Sequence, residues 1–550
     1  MITEANTDTH DVLNQAPPIP DRDAFSTDAP LVEAVRRHGA SSHLSRLTDL
    51  GRSAGAESWR LRGAEANRDL PRLRSHDRYG HRVDVVDFNP AWHDLMRFSV
   101  SWGLHGAPWV STEPGAHVAR AAGFITWTQV EPGHLCPISM TYAAVPVLRR
   151  ADAETAEWIT GLTARDYDFG LRAPAEKDGL IAGMAMTEKQ GGSDVRTNTT
   201  SAIQVADGTY RLTGHKWFCS APMSDVFLVL GQAEGGLTCF LVPRVLPDGE
   251  HNVFRIQRLK DKLGNRSNAS SEIEFAGTVA LRLGDEGRGV RTIVEMVSAT
   301  RLDCVLGATG LMRGAVSQAM WHIGSRQAFG GVLLDKPLMR NVAADLALEV
   351  EAAAALAIRL AAAVDAAEHG DEAEAKLRRI ALPAAKYWTT KRSIMVTGEA
   401  LECLGGNGYA EESGMPLLFR EAPVNSVWEG SGNVNALDLL RAISREEGTV
   451  DALLAELGAA GGADSRYDAA VAGLLNEFAE LDDLEYRARR LAGRIAVLLQ
   501  AAQLLQYAPP SVSDAFVTTR IAGDHVTQFG TLPRGLRLDE ILNRADPMTQ

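Results

Sequence analysis

The feature that most constrains this chain is a double change in periodicity. Up to about residue 180, apolar residues recur at helical spacing. Leu31, Val32 and Val35 begin it, and 92–104, 116–129, 135–150 and 153–162 continue it. Between about 181 and 291 the runs shorten. Residues 210–213, 226–230, 238–242 and 271–275 have strand composition, punctuated by Asp207-Gly208, Gly235-Gly236 and Asp248-Gly249. Long helical segments then return at roughly 291–326, 336–369, 372–404 and 433–445, with Pro383 placed to bend or restart the third. Helices, then strands, then helices argue against alternating βαβ units. They predict an N-terminal helical domain, a middle antiparallel β domain and a C-terminal four-helix bundle.

The ends add two pieces. Pro17, Pro18, Pro20 and Pro30 disfavour helix and predict an extended arm over 1–30. A Gly/Ala-rich stretch at 458–463 reads as a linker to an extra helical module. Its amphipathic helices cover 467–507 and end at Pro509-Pro510. The expected divisions are therefore 1–30, 31–180, 181–290, 291–445 and 446–550.

Composition narrows the function classes. A net charge of −14 over 550 residues advertises neither nucleic acid nor an anionic membrane. The most hydrophobic long stretch, 341–369, is broken by Glu349, Glu351, Arg359 and Asp365, which suits a buried bundle helix rather than a membrane span. Five scattered cysteines without a C-x-x-C pair predict reduced thiols in a cytoplasmic protein. No secretory signal is visible at the N-terminus. His76 and His81 lack further ligands, so no metal site is expected.

The common catalytic patterns are missing: no P-loop, no H-E-x-x-H, no G-x-S-x-G and no G-x-G-x-x-G between strand and helix. What stands out is Val424-Asn-Ser-Val-Trp-Glu-Gly-Ser-Gly-Asn-Val-Asn435. It sets one carboxylate, Glu429, between an aromatic and a glycine-rich turn. Desolvation there would raise the carboxyl pKa and suit a general base beside a flat ligand. An acid in a helix-entry turn, favoured by the helix dipole, accounts for the same residues. The loop Met184-Ala-Met-Thr-Glu-Lys-Gln-Gly-Gly-Ser-Asp194 offers hydroxyls and backbone N–H groups for phosphates, or simply closes an element.

These segments, taken with Gly214-x-Lys-x-Phe-x-Ser220, Arg326-x-x-Phe-Gly330, Leu404-Gly-Gly-Asn-Gly-Tyr409 and Trp428-Glu-Gly430, resemble the FAD-dependent acyl-CoA dehydrogenase superfamily over about residues 80–445. Asn14-Gln-Ala-Pro-Pro, His76-Asp-Arg-Tyr-Gly, Phe88-Asn-Pro-Ala-Trp-His and the extra C-terminal module are similar to its AidB-type branch, proteins of the bacterial response to DNA alkylation. The resemblance implies an FAD cofactor, an acyl-CoA substrate, an electron-accepting flavoprotein partner and a homotetramer. It also implies residue roles. Met186, Thr187 and Ser193 fall at the flavin ring and pyrophosphate. Phe218, with Trp217 one place away, falls at the ring face, and Ser220 behind it. Arg326, Phe329, Glu402, Gly405 and Gly406 reach FAD across a subunit interface. Ser431 and Asn433 hold it beyond the base. Glu429 takes the place of the base that removes an α-proton while a hydride leaves the β-carbon. The alternative base position of some members is Thr300, before Arg301.

Thr197 and Leu417 depart from the family signatures, which weakens any reading of the acyl group. Two functions therefore stand side by side: dehydrogenation of a short or branched acyl-CoA, isovaleryl-CoA among them, and protection of DNA with weak dehydrogenase activity. For the latter, residues 445–550 carry ten Arg and no Lys against sixteen Asp and Glu, a net of −6 that opposes phosphate binding. Arg487, Arg490 and Arg494 could still share one helical face toward DNA, or be ion-paired with the acids upstream.

Overall fold

The computed structural model describes residues 9–151, 155–206, 208–480 and 482–549. Residues 1–8 of the arm, 153 and 154 of the expected segment 153–162, and Asp207 lie outside the described residues. The N-terminal part holds α1 (Ala29–Arg37), α2 (Leu44–Gly55), α3 (Glu57–Arg68), α4 (Pro90–Trp102), α5 (Ala116–Thr128), α6 (Leu135–Arg149) and α7 (Ala156–Thr163). In α4 the start and stop signals are explicit. Asn89 accepts the Ala91 N–H at 2.7 Å, Pro90 opens the helix, and Gly103 closes it at φ +73°.

This part is not wholly helical. An antiparallel hairpin, β1 (Arg72–His76) and β2 (Arg82–Asp87), stands between α3 and α4. His76 and His81 flank its turn, where His81 Nδ1 lies 3.1 Å from Asp77 Oδ2.

The middle domain is one sheet of β3 (Ala182–Ala185), β4 (Ser201–Ala206), β5 (Thr209–Ser220), β6 (Val226–Ala233), β7 (Gly236–Pro243), β8 (Arg255–Leu259) and β9 (Ser270–Leu283). Pairing runs from β4 through β5, β9 and β7 to β6. It returns to β4 by one Ser201–Gln232 pairing, so the sheet closes into a small barrel. Pairing is antiparallel except where β3 and the closing bridge run parallel to β6. The unbroken apolar run at 226–230 reflects a strand covered on both faces. Phe227 and Val229 enter the barrel core with Phe240, Val242 and Phe275, whereas Val226, Leu228 and Leu230 join the helical core.

The bundle contains α8 (Gly289–Ser325), a hairpin of β10 (Gln327–Ala328) and β11 (Gly331–Val332), α9 (Pro337–Glu368), α10 (Glu372–Glu402), α11 (Met415–Val427) and α12 (Gly432–Arg445). α11 is a helix beyond the four expected. Pro383 neither ends nor restarts α10. The fully buried Ile380, Ala384 and Ala385 around it show tertiary packing overriding a local cost of about 3 kcal/mol.

α13 (Thr449–Gly458), α14 (Ser465–Ala479), α15 (Leu484–Tyr507), α16 (Pro510–Phe516) and α17 (Leu538–Ala545) complete the chain. The Gly/Ala-rich stretch is a turn between α13 and α14 rather than a spacer, and across it Tyr467 O–H donates to Leu457 O at 2.8 Å. α15 packs on α9, α10 and α12, so its apolar residues belong to the main core. Three acids on the apolar α9 have partners here: Arg520 bonds Asp345 and Glu349, and Arg544 bonds Glu351 at 2.7 Å, reaching Glu33 of α1 at 2.7 Å as well. Asp365 instead accepts the His117 and Val118 N–H groups that open α5. No described helix is long and apolar enough to cross a membrane.

Candidate active site

Glu429 sits in the turn between α11 and α12 at φ +56°, a left-handed conformation that a residue with a side chain adopts only when its surroundings enforce it. The enforcement is a row of donors to four consecutive carbonyls. Lys386 Nζ, on α10, donates to Trp428 O at 2.8 Å and to Gly430 O at 2.5 Å. Arg301 Nε, on α8, donates to Glu429 O at 2.9 Å, and Asn435 Nδ2 to Gly430 O and Ser431 O at 2.6 and 3.0 Å. Asp438 in turn fixes Arg301 at 2.5 Å.

The Glu429 carboxyl accepts a 2.7 Å hydrogen bond from Thr300 Oγ1. Burial pushes its pKa up; Thr300, Lys386 and Arg301 oppose that only in part. Burial also brings Lys386 down to about 8, against the pull of Cys304 and Glu429. A carboxyl raised in pKa and aimed by a hydroxyl can accept a proton from a carbon acid beside it. Lys386 was missed by sequence reading. A lysine on a long helix reads as a solvated face, and only its 1% exposure reveals its role.

The motif loops lie on the barrel side. Met186 and Thr187 follow β3; Asn198 Nδ2 donates to Met186 O at 2.9 Å, and Trp217 N–H to Thr187 O at 2.8 Å. The buried Glu188 anchors this loop from within, accepting from Lys216 Nζ at 2.8 Å and from the Thr199 N–H at 2.7 Å. Burial would raise Glu188, but Lys216 and the Thr donors outweigh it and hold it at about 2. Ser193 is exposed. A Cβ on Gly191 would meet the Thr197 hydroxyl at 2.6 Å, so the departure at Thr197 is matched by a glycine facing it.

On β5 the two neighbouring aromatics differ. The Lys260 ammonium lies 3.5 Å from the Trp217 ring centre and 4.6 Å from that of Phe218, which remains 51% exposed. Ser220 Oγ is 3.1 Å from Ser270 Oγ on β9 and touches the Cys136 thiol of α6. The barrel abuts the base-bearing side through the loop between β8 and β9, where the Asn265 N–H donates to Glu421 of α11.

Comparison with known proteins places this arrangement. The chain matches the adaptive response protein AidB N-terminal domain over residues 14–169, the acyl-CoA dehydrogenase middle domain over 183–278 and the acyl-CoA dehydrogenase C-terminal domain over 287–444. It is 46% identical to AidB of Escherichia coli (strain K12) over 511 residues, covering 92% of this chain and 94% of that one. The chain belongs to the AidB branch of the acyl-CoA dehydrogenase family. It is also 32% identical to acyl-CoA dehydrogenase family member 11 of Caenorhabditis elegans, over 70% of this chain and 64% of that one. The solved structure of Caenorhabditis elegans ACDH-11 in complex with C11-CoA superimposes with a TM-score of 0.83 at 26% identity, covering 100% of this chain and 94% of that one.

Of the other residues singled out, Arg326, Phe329, Glu402, Gly405 and Gly406 lie apart from Glu429 in sequence, whereas Ser431 and Asn433 share its turn. Arg326 follows α8, and its guanidinium donates to Asn14 O of the N-terminal arm. Asn14 grips the same segment twice, accepting from Gln327 N at 2.8 Å and donating to Gln327 O at 2.7 Å. Phe329 and Gly330, at φ +49° and +77°, form the two-residue hairpin turn between β10 and β11. Phe329 is 92% exposed. Glu402 ends α10, and Gly405 and Gly406 follow in an exposed turn where an added Cβ would meet nothing within 4 Å. Ser431 precedes α12 and Asn433 lies in its first turn. Among the described residues neither side chain takes a protein hydrogen bond.

The arginine face is ion-paired. Arg490 and Arg494 both bond Glu477 Oε1, the former at 3.2 Å. Arg487 is turned onto the carbonyls of Glu477, Glu480 and Asp482. The three share α15 as expected, but they serve the α14–α15 junction instead of offering a free cationic surface.

Proposed function

We propose that this chain is an FAD-dependent oxidoreductase that dehydrogenates an acyl-CoA thioester between its α and β carbons, with Glu429 as the base. The observation that carries the reading is the Glu429 carboxyl. It is held at 2.7 Å by Thr300 and raised in pKa by burial. A structural acid in a helix-entry turn would need neither desolvation nor a four-carbonyl staple.

The residues present fit FAD. Phe218 offers a half-open aromatic face, Ser220 a hydroxyl beside it, and the exposed 191–193 loop backbone donors for phosphate. Met186 and Thr187, at the end of β3, would hold the flavin ring, and Ser431 and Asn433 would supply polar groups to it next to the base. Bound FAD would supply the hydride acceptor that no protein side chain provides. Glu429 takes the proton from the α-carbon, Thr300 orients it, and Lys386 and Arg301 hold the turn in place.

The exposed Phe329, Glu402, Gly405 and Gly406, with the half-buried Arg326 beside them in the motif, fit a cofactor contact made across a subunit boundary, in keeping with a homotetramer. The complex of ACDH-11 with C11-CoA supports an acyl-CoA as substrate class. A short or branched acyl group remains our reading for this chain, with an electron-accepting flavoprotein taking the electrons. No observation favours a DNA-protecting role, since the arginines proposed for it are paired. Anaerobic mixing of the FAD-loaded protein with a panel of acyl-CoAs tests the reading. Bleaching of the flavin by at least one supports it, and no bleaching by any of them sinks it.

A further inference from the structure

Behind Ser220 lies a buried lysine that the proposed chemistry does not use. Lys262, in the loop between β8 and β9, donates to Asn268 O at 2.7 Å and to Ser270 Oγ at 2.8 Å. Ser270 Oγ is in turn 3.1 Å from Ser220 Oγ. An ammonium can only donate, so Ser270 must accept from it and direct its own hydrogen elsewhere. The neighbouring hydroxyl is Ser220, whose oxygen then accepts, leaving the Ser220 hydrogen for an acceptor outside the hydroxyl pair, where the neutral Cys136 sulfur is only a weak competitor.

We propose that Lys262 is a positioning residue for the flavin: by donating to Ser270 it fixes the direction of the Ser270–Ser220 hydroxyl pair, so that Ser220 presents a hydrogen-bond donor to the electron-accepting part of the bound ring. This rests on the reading of Ser220 as a flavin contact. Two features make the arrangement more than a packed polar cluster. The cation touches the outward hydroxyl only through Ser270, so its effect is directional. The other close group, the Cys136 thiol, is pushed up to about 12 by burial, so it remains neutral and cannot cancel the charge. Glu421, on α11, and Glu131, before α6, face Lys262 from the other side. Burial, with Glu131 adding to it, raises Glu421 to about 8, so near neutral pH this acid carries little charge. Burial would raise Glu131 too, but His134 outweighs it, so Glu131 stays ionised as the counter-charge that helps keep Lys262, itself brought down to about 8 by burial, protonated at neutral pH.

A donor aimed at an electron-accepting ring, backed by a buried cation, stabilises the reduced form. The test is an equilibrium reduction titration of FAD-loaded wild type, Lys262→Met, Lys262→Arg and Ser270→Ala, with FAD content measured for each. Lys262→Met and Ser270→Ala should each lower the equilibrium constant for two-electron reduction about tenfold, about 30 mV for this couple. Lys262→Arg should restore it, and the double variant should fall no further than either single one. Ser270→Ala removes only a hydroxyl, so it carries the test even if Lys262→Met misfolds. Unchanged potentials in FAD-loaded variants would overturn the relay alone. A wild-type protein that retains no FAD would overturn the reading beneath it.

Discussion

The Thr300 hydroxyl donates to Glu429 Oε2 at 2.7 Å, joining α8 to the α11–α12 turn. This bond favours the ionised carboxylate, so its loss raises the pKa further. In Thr300→Val the acidic limb of the pH profile for flavin bleaching by acyl-CoA should move to higher pH by roughly one unit, with the plateau little changed. A limb that stays put or moves down would show that the hydroxyl does not tune the base.

Lys386 holds the base-bearing turn through two carbonyls and is nearly inaccessible to solvent. Lys386→Met leaves both acceptors without their donor while keeping the bulk of the side chain. We expect a loss of about 2–4 kcal/mol in urea unfolding at constant slope. A loss below about 0.5 kcal/mol would mean that the turn is held by Arg301 and Asn435 alone.

Glu421 accepts the Asn265 N–H inside the interface between α11 and the β8–β9 loop, with Glu131, Lys262 and Arg420 around it. Its folded pKa of about 8 exceeds the unfolded value of about 4.3. The folded state therefore holds a proton that the unfolded chain releases. The associated stability is whole below about pH 4 and is lost as pH rises through about 8. Glu421→Gln removes this term, so its stability relative to wild type should climb by about 2–4 kcal/mol between pH 5 and pH 8.5. A flat difference across that range would place the carboxyl's pKa near its ordinary value.

Much of this was legible in sequence because the signals were local. Asn89-Pro90 and Gly103 bracket α4 as capping chemistry requires, and the strand run at 226–230 is written in apolar residues. The hairpin of β1 and β2 was hidden because its residues are largely charged and half exposed, leaving no apolar alternation to read. α11 was hidden by Pro416 and Pro423, the first of which simply opens the helix. The stretch at 458–463 has linker composition, and only the Tyr467 bond to Leu457 shows it to be a tight turn. At the site, Glu429 was marked by its neighbours in sequence. Thr300 was singled out only as the alternative base position before Arg301; its bond to Glu429, and the roles of Lys386 and Lys262, come from long-range contacts that no local pattern encodes.

The pairing of Arg490 and Arg494 with Glu477 has a consequence for DNA. The two arginines share one carboxylate, so the cluster keeps at most one net charge to displace counterions from a phosphate backbone. Arg490→Ala/Arg494→Ala should lower the salt slope of any residual DNA binding by no more than about one in a gel-shift titration. A fall in slope of about two would restore this face as a phosphate contact.

The base itself is tested most directly by Glu429→Gln, which keeps the size of the side chain and removes its basicity. Wild type and variant, both loaded with FAD, are mixed anaerobically with an acyl-CoA that bleaches the wild-type flavin, and the rate is followed by absorbance. We expect bleaching to slow by a factor of at least about 10³ in the variant while FAD content stays the same. Bleaching by Glu429→Gln at the wild-type rate would contradict a proton-abstracting role for Glu429.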